Sequence, residues 1–459
     1  MKLRSLQVDV LVAEIGSTTT VVNAFHGLGT GAPRFCGQGQ AATSVSQGDV
    51  RIGLRAAMED LRAKLGLAEL HYKRMLATSS AAGGLRMTVH GLVYDMTVRA
   101  GREAALGAGA NIHLATAGKL QDGELAEILR IRPNLILLAG GTDYGDRDTA
   151  LHNAEQLAAL PLRAPVIYAG NIANQRAVRE IFARANKPLT VTENVYPRLD
   201  ELNIEPVRRV IHREFETHIT AAPGMAELRQ LVDGPILPTP GAVMECARLL
   251  YAELGDLIAV DVGGATTDIH SVAEGSEEIA AMQTRPEPLA KRSVEGDLGL
   301  FVNAASLADL VGRALLRTET GLDVDTLLSD WPPIPQTEEQ QVLAAALCRH
   351  AAQIAMKRHA GQLRHTYGAT GRQTWAEGKD LSRVRTLIAT GGALTRLGGR
   401  EQVLCALRDM NPGGMLLYPK PATMRLLQDG HYIMASLGVL SLEYPRDALI
   451  LMQESLGVR

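Results

Sequence analysis

The chain has 459 residues, enough for two or more lobes that each bury a core of their own. Hydrophobic residues make up 46% and charged residues 21%, an ordinary globular balance that argues against long disorder. Lys+Arg total 47 against Asp+Glu 50 and aromatics are only 4%, which excludes a basic nucleic-acid or membrane-surface field and base-stacking platforms.

The opening "MKLRSLQVDVLVAEIG" starts basic, but Asp9 and Glu14 interrupt what would be the apolar heart of a signal sequence. No apolar run approaches the ~20 residues of a membrane helix, so a soluble cytoplasmic protein is expected. "DVLVAEIGSTTTVVNAF" (9–25) then reads as strand, glycine–hydroxyl turn and strand. Beyond it, "RMLATSS", "NIHLATAG", "NLILLAGG", "APVIYAGN" and "LTVTEN" read as strands. "ELAEILRI", "TALHNAEQLAAL" and "NQRAVREIFARA" alternate with them at helical periodicity, the pattern of a parallel α/β sheet. "DGPILPTPGAV", rich in proline, is the expected hinge.

After the hinge, "DLIAVDVGGATTDIHSV" (256–272) lies over the first segment without a gap: Asp9 falls on Asp256, Glu14 on Asp261, Gly16 on Gly263 and Thr19 on Thr266. Two copies in one chain imply two homologous lobes. "WPPIPQ" reads as a loop, and "TEEQQVLAAALCRHAAQIAMKRHAGQLRHTYG" as one long helix opened by Thr337. On it, His350, His359 and His365 are expected to be surface or helix-face residues rather than metal ligands. "TLIATGGALTRL" reads as strand, Gly-Gly turn and helix. The four cysteines, Cys36, Cys246, Cys348 and Cys405, are scattered without a CxxC pair and read as inert thiols.

The chemistry these turns suit is phosphate binding. Glycine lets backbone N–H groups approach a ligand closely, and Ser17, Thr18, Thr19, Thr266 and Thr267 add hydroxyls. The strand-end acids Glu14 and Asp261 suit Mg²⁺, which prefers hard oxygen ligands and keeps several waters. Gly391-Gly392 would place backbone amides at a helix start, where glycine also lets a flat ring lie close. There is no GxxxxGK[ST], so a P-loop is not the nucleotide site.

The order of hairpin, hairpin and strand-GG-helix resembles the actin / sugar kinase / Hsp70 superfamily of ATPases, with a first phosphate motif, a second and an adenosine motif. "DVGGATTDIHSV" is similar to the second phosphate motif of the Hsp70 branch, and "TLIATGGALTRL" to the adenosine motif. More narrowly, "TSSAAGGLRM" (78–87), "LLAGGTDYGD" (137–146), "VEGDLG" (294–299) and both phosphate motifs resemble the glutamate mutase (methylaspartate mutase) accessory proteins of the MutL/GlmL family.

That resemblance implies an α/β, two-lobed actin-like ATPase fold, with duplicated RNase H-like lobes, an inserted α/β region and nucleotide in the cleft. Its segments would be 1–97 (first lobe), 98–232 (insert, suited to touching a partner) and 233–459 (second lobe). It implies a chaperone-like reactivating factor that uses ATP and Mg²⁺ to exchange damaged cobalamin on an adenosylcobalamin-dependent mutase, such as glutamate mutase or a related aminomutase. The mutase subunits would be its partners, with homo-oligomer formation left open. Gly16, Ser17, Thr18 and Thr19 match the first phosphate loop, Gly263, Gly264, Ala265 and Thr266 the second, and Gly391 and Gly392 the adenosine turn. Asp261 and Asp268 match the acids flanking the second loop, with Glu14, Asp261 and Asp297 the catalytic candidates and Glu14 and Asp261 the metal candidates.

The first motif departs from the family pattern. Glu14 stands where Asp is usual, and Val21 where many relatives carry Lys, so slow hydrolysis is expected. Alternatives on the same fold are a small-metabolite kinase, a radical-dehydratase activase, which the scattered cysteines count against, and a non-catalytic module with a degenerate site.

Overall fold

The computed structural model describes residues 7–16, 19–80, 85–221, 225, 227–283, 285–368, 371–411 and 413–458. The chain divides into two compact units, Met1–Ala242 and Val243–Arg459. In the first unit, β1 (Gln7–Ile15) and β2 (Thr19–His26) form an antiparallel hairpin, β3 (Arg34–Ala42) pairs antiparallel with β2, and β4 (His71–Ser79) lies parallel to β1. The chain then leaves this sheet for another one, made of β5 (Arg86–Gly91), β6 (Asn111–Ala117), β7 (Leu135–Leu138), β8 (Val166–Tyr168) and β9 (Leu189–Val191). It returns as β10 (Ile236–Pro238), parallel to β4, which completes the order β10-β4-β1-β2-β3.

The second unit repeats that topology. β11 (Leu257–Val262), β12 (Thr267–Val272) and β13 (Ala290–Glu295) form an antiparallel meander. A hairpin of β14 (Gln362–Gly368) and β15 (Gly371–Glu377) intervenes before β16 (Thr386–Thr390) and β17 (Arg425–Gln428) add in parallel. The order β13-β12-β11-β16-β17 is the mirror listing of the first sheet, strand for strand. The two-lobed, actin-like α/β fold expected from the sequence is what the duplicated sheets form.

Alternation along the strands explains the layers. Ile258, Val260 and Val262 of β11 point to the face covered by the helix Glu338–His359, whose Leu343, Leu347 and Ala351 share their core. Leu257, Ala259 and Asp261 take the opposite face. The inserted sheet is all parallel, in the order β6-β5-β7-β8-β9. Val89, Leu135 and Leu137 face the core shared with β1, while Ile136, Leu138 and Tyr168 face the helices Asp148–Ala159 and Gln175–Arg184. Among the described residues no helix is long and apolar enough to cross a membrane.

Two local expectations need correction. The stretch read as one helix ends at His359, with Lys357 and Arg358 in its last turn, and the residues beyond form β14. Gly361 breaks the run, and the alternating "QLRHTYG" pairs with β15, so period two wins over the helical continuation. His359 is not a surface residue either: it is 2% exposed, with its ring nitrogens 2.8 Å from Ser271 Oγ and Ser293 Oγ. His350 pairs with Glu319, and His365 lies on β14 beside Thr374. Cys246 and Cys348 are buried, Cys36 and Cys405 half-buried, and all four are free thiols.

β3 carries a packing constraint of its own. The helix Val50–Lys64 lies so close to it that a Cβ at Gly39 would come within 2.0 Å of the Ala57 carbonyl and 2.5 Å of the Leu61 nitrogen. Both obstacles are helix backbone, which cannot rotate away. Gly39→Ala is therefore expected to lift the helix and cost about 1–3 kcal/mol of stability, read as a lower urea midpoint at unchanged slope.

Candidate phosphate-binding hairpins and their acidic supports

The two hairpins are the same object built twice. Val10 opposes Phe25 and Glu14 opposes Val21 in the first, and Leu257 opposes Val272 and Asp261 opposes Asp268 in the second, which is the register of the ungapped repeat. Both turns share a closing bond, from Gly16 N to Thr19 O and from Gly263 N to Thr266 O, both 2.9 Å. The far ends match as well. Asp9 accepts from Gly27 N at 2.6 Å and Leu28 N at 3.3 Å, and Asp256 accepts from Glu274 N at 3.1 Å and Gly275 N at 3.3 Å. Ser17 and Thr18 lie outside the described residues, as do four residues of "TSSAAGGLRM".

In the second unit the loop is braced from beside. Phe301 N donates to Gly264 O at 2.8 Å and Leu300 N to Gly263 O at 3.1 Å, while Thr267 Oγ1 donates to Leu298 O at 2.8 Å. Gly299 presses on the loop so closely that a Cβ there would stand 2.3 Å from the Ala265 carbonyl. Gly264 and Ala265 remain exposed at the tip. A braced, exposed turn of this kind can offer N–H groups to an anion without rearranging.

Beneath the loop sit three carboxyl groups. Asp268 is buried and ion-paired with Arg292, itself 1% exposed, at 2.7 Å from Nη2, and its other oxygen takes the Thr266 hydroxyl at 2.9 Å. Arg292 thus fixes Asp268, and Asp268 fixes a hydroxyl of the loop. Asp429, just past β17, accepts from Thr390 Oγ1, Ile433 N, Met434 N and Ser455 Oγ, which ties β16 to the helix Met434–Leu440. Asp261 is the half-buried third. Burial and the negative charge of Asp268 push its carboxyl up to about 7, against a partial pull from Arg292.

Asp261 also meets the Gly391-Gly392 turn. β11 and β16 are parallel neighbours with Asp261 opposite Thr390, so the carboxylate lies against Gly391, where a Cβ would stand 2.1 Å from Asp261 Oδ1. Gly391 has φ of +84°, so the backbone as well as the space calls for glycine. Gly392 has open space above it. The sequence candidates Asp261, Gly263–Thr266, Asp268, Gly391 and Gly392 are thereby gathered on one edge of one sheet.

Asp297 is placed differently. Arg358 holds it through Nη1 at 2.9 Å and Nη2 at 3.0 Å, together with Glu295 at 2.5 Å, and this pairing lowers the Asp297 carboxyl below its usual range. In the first unit, Glu14 is 5% exposed and accepts from Asn23 Nδ2 at 3.3 Å, with Gln38 Nε2 donating to Asn23 Oδ1 at 2.9 Å. Sequence reasoning missed Arg292, Thr390, Asp429 and Gly299. "QDG" after a strand signals only a turn, and Arg292 lacks any local signature.

Two outcomes follow from the buried charges. Arg292→Met would leave the Asp268 carboxylate buried and unpaired, with an expected loss of about 3–5 kcal/mol in denaturant unfolding. For Asp261 the folded form holds its proton more tightly than the unfolded chain does. Its contribution is therefore favourable at low pH and is lost as pH rises from about 4 to about 7. Asp261→Asn should remove this slope and be more stable than the unaltered chain at pH 8, measured by thermal unfolding across pH.

Residues 10–456 match the family model described as MutL protein. Protein MutL of Clostridium tetanomorphum is 37% identical over 426 residues, covering 89% of this chain and 92% of that protein. Among solved structures, the chain is similar to a diol dehydratase-reactivating factor in nucleotide-free form, with 12% identity, 98% of this chain and 99% of the other covered, and a TM-score of 0.36. It is also similar to nucleotide-free acetone carboxylase, with 14% identity, 95% and 70% covered, and a TM-score of 0.41. The length and identity of the sequence matches settle the affiliation: this chain belongs to the MutL protein family.

Proposed function

We propose that the chain is an ATP-dependent reactivating factor for an adenosylcobalamin-dependent mutase, glutamate mutase or a related aminomutase, and that it drives the exchange of damaged cobalamin for intact coenzyme. The observation that carries the nucleotide half of this reading is the hairpin built twice, with one register, one turn bond and an acid at each strand end. The mutase half rests on the motifs that resemble the glutamate mutase accessory proteins, and membership of the MutL family supports it.

The donor set fits Mg²⁺ carried in by the nucleotide rather than an ion held by the protein alone. Asp268 is committed to Arg292 and Asp429 to four donors, which leaves Asp261 as the hard oxygen ligand of the three. Such an ion would neutralise phosphate charge. The chain's own part is to present the Gly263–Thr266 amides to phosphate oxygens, to hold the Thr266 hydroxyl on Asp268, and to keep the Asp261 carboxyl aimed along Gly391. Gly391 and Gly392 would take the adenosine end. Glu14, Gly16 and Thr19 offer the same features in the first unit, and Asp297, engaged by Arg358, is the weakest of the catalytic candidates.

Gly264 tests the phosphate contact without disturbing the fold, since a Cβ there meets only Phe301 Cβ at 3.4 Å. Gly264→Val is expected to raise the ATP dissociation constant roughly tenfold, about 1.4 kcal/mol, with an unchanged melting temperature in nucleotide-free buffer. Asp261→Ala should lower turnover by a factor of about 10²–10³. The deciding experiment mixes the chain with cyanocobalamin-inactivated glutamate mutase, Mg²⁺-ATP and intact coenzyme. Recovery of mutase activity that needs all three supports the reading. ATP binding without recovery with any cobalamin mutase removes the reactivase, and turnover stimulated by a small metabolite puts a kinase in its place.

A further inference from the structure

The inserted sheet carries an unassigned surface at the carboxyl ends of its strands. In open α/β sheets a ligand crevice is expected where the strand order reverses, here between β5 and β7. That crevice is filled by the chain itself. A Cβ at Gly141, after β7, would meet Leu92 Cδ2, after β5, at 3.3 Å, and one at Gly170, after β8, would meet the Gly140 nitrogen at 2.2 Å. The loops close on each other and form a platform.

The platform is rigid and apolar at its high points. Val93 and Tyr94 follow β5, Tyr144 follows β7, Ile172 follows β8 and Leu199 follows β9, all exposed, with Tyr144 at 82% and Leu199 at 72%. Tyr144 has φ of +62°, a conformation a bulky residue adopts only when its surroundings impose it. The imposing group is the fully buried Asn171. Its Oδ1 accepts from Tyr144 N and Ala173 N at 2.9 Å, and its Nδ2 donates to the Gly145 and Asp146 carbonyls. Asn194, also buried, donates to Gly141 O at 3.0 Å and Asp143 Oδ1 at 2.9 Å. Buried amides thus hold a strained loop in order to display a ring to solvent, whereas a loop shaped only for stability would turn that ring inward. Aromatic anchors on a pre-organised scaffold are what protein interfaces use.

Charge selects the occupant. Asp143 and Asp146 flank Tyr144 and Asp200 follows Leu199, while Glu201 is offset by Arg198. The arginines of these loops are turned onto the chain's own groups: Arg102 lies over the Tyr94 ring, Arg147 bonds Asn174 and the Ala173 carbonyl, and Arg198 pairs with Glu201. A second copy docking by two-fold symmetry would bring like charges together. We infer that the carboxyl edge of the inserted sheet is the docking surface for a partner protein that presents an apolar patch ringed by lysine and arginine. Within the function proposed above, on which this identification rests, that partner is a mutase subunit.

Tyr144→Gly gives the test, because glycine accepts the positive φ and the variant keeps its fold. Glu201→Lys changes the rim. Binding of each form to cyanocobalamin-inactivated glutamate mutase is measured by surface plasmon resonance with Mg²⁺-ATP present. Tyr144→Gly is expected to raise the dissociation constant at least tenfold, and Glu201→Lys severalfold with a weaker salt dependence, while ATP affinity and melting temperature do not fall. Unaltered binding by both variants overturns the docking edge and leaves the reactivase standing. No binding by the unaltered chain removes both. A dimer that Tyr144→Gly converts to monomer in sedimentation would make the occupant a second copy and likewise overturn the proposal.

Discussion

The site in the second unit depends on one contact, that of the Asp261 carboxylate with Gly391. Parallel pairing of β11 with β16 puts the end of the hairpin's first strand beside the turn that opens the next helix. With any side chain at Gly391, the 2.1 Å to Asp261 Oδ1 would force the acid away from the strand axis. The glycine leaves the carboxylate half-buried yet aimed along the sheet edge. Burial first, and then the charge of Asp268, oppose its ionisation, while Arg292 favours it. The braced loop above it, held by Gly299 and by the backbone bonds from Leu300 and Phe301, would have little to organise if that acid were displaced.

The two copies solve the same packing problem with different chemistry. In the second unit a diagonal ion pair, Arg292 with Asp268, crosses from β13 to β12. In the first unit the corresponding strands carry amides, and Gln38 to Asn23 to Glu14 forms a chain of hydrogen bonds instead. Glu14 has one methylene more than Asp261, which lets its carboxylate reach past its cross-strand partner Val21 to Asn23, two residues along β2. An arginine–carboxylate pair holds an acid at a greater desolvation cost than an amide does, and with more to lose when either member is removed.

What the sequence made legible follows the range of the forces involved. The hairpins, their common register and the Gly-Gly turn are local, encoded within about 17 residues each, and period two alternation with glycine at the turn was enough to find them. The parallel strands of the insert were legible for the same reason. The β14 strand was not: Gly361 and the alternation of "QLRHTYG" are weak local signals beside the long helix before them, and the pairing with β15 is what makes the strand. Arg292, Asp429 and Gly299 escaped because their roles exist only across strands: Arg292 meets Asp268 on β12, Asp429 lies beside Thr390 on β16, and Gly299 meets Ala265. His359 looked like any histidine of a polar helix until two serines from β12 and β13 enclosed it.

The insert shows how a fold can keep its first sheet intact and acquire a surface at small cost. It enters after β4 and returns as β10, two parallel neighbours, so the first sheet keeps its order however much chain lies between. Loop closure grows only slowly with length, about 0.6 kcal/mol per doubling, and the insert offsets it with an apolar layer of its own around Leu138, Tyr168 and Phe182. Gly140, Gly141 and Gly170 serve loop packing, and its buried asparagines spend their hydrogen bonds on loop shape. The polar groups of the hairpin in the second unit, by contrast, are arranged around an exposed turn. The chain therefore carries two kinds of surface, a braced exposed turn in the second unit and an aromatic platform on the insert of the first.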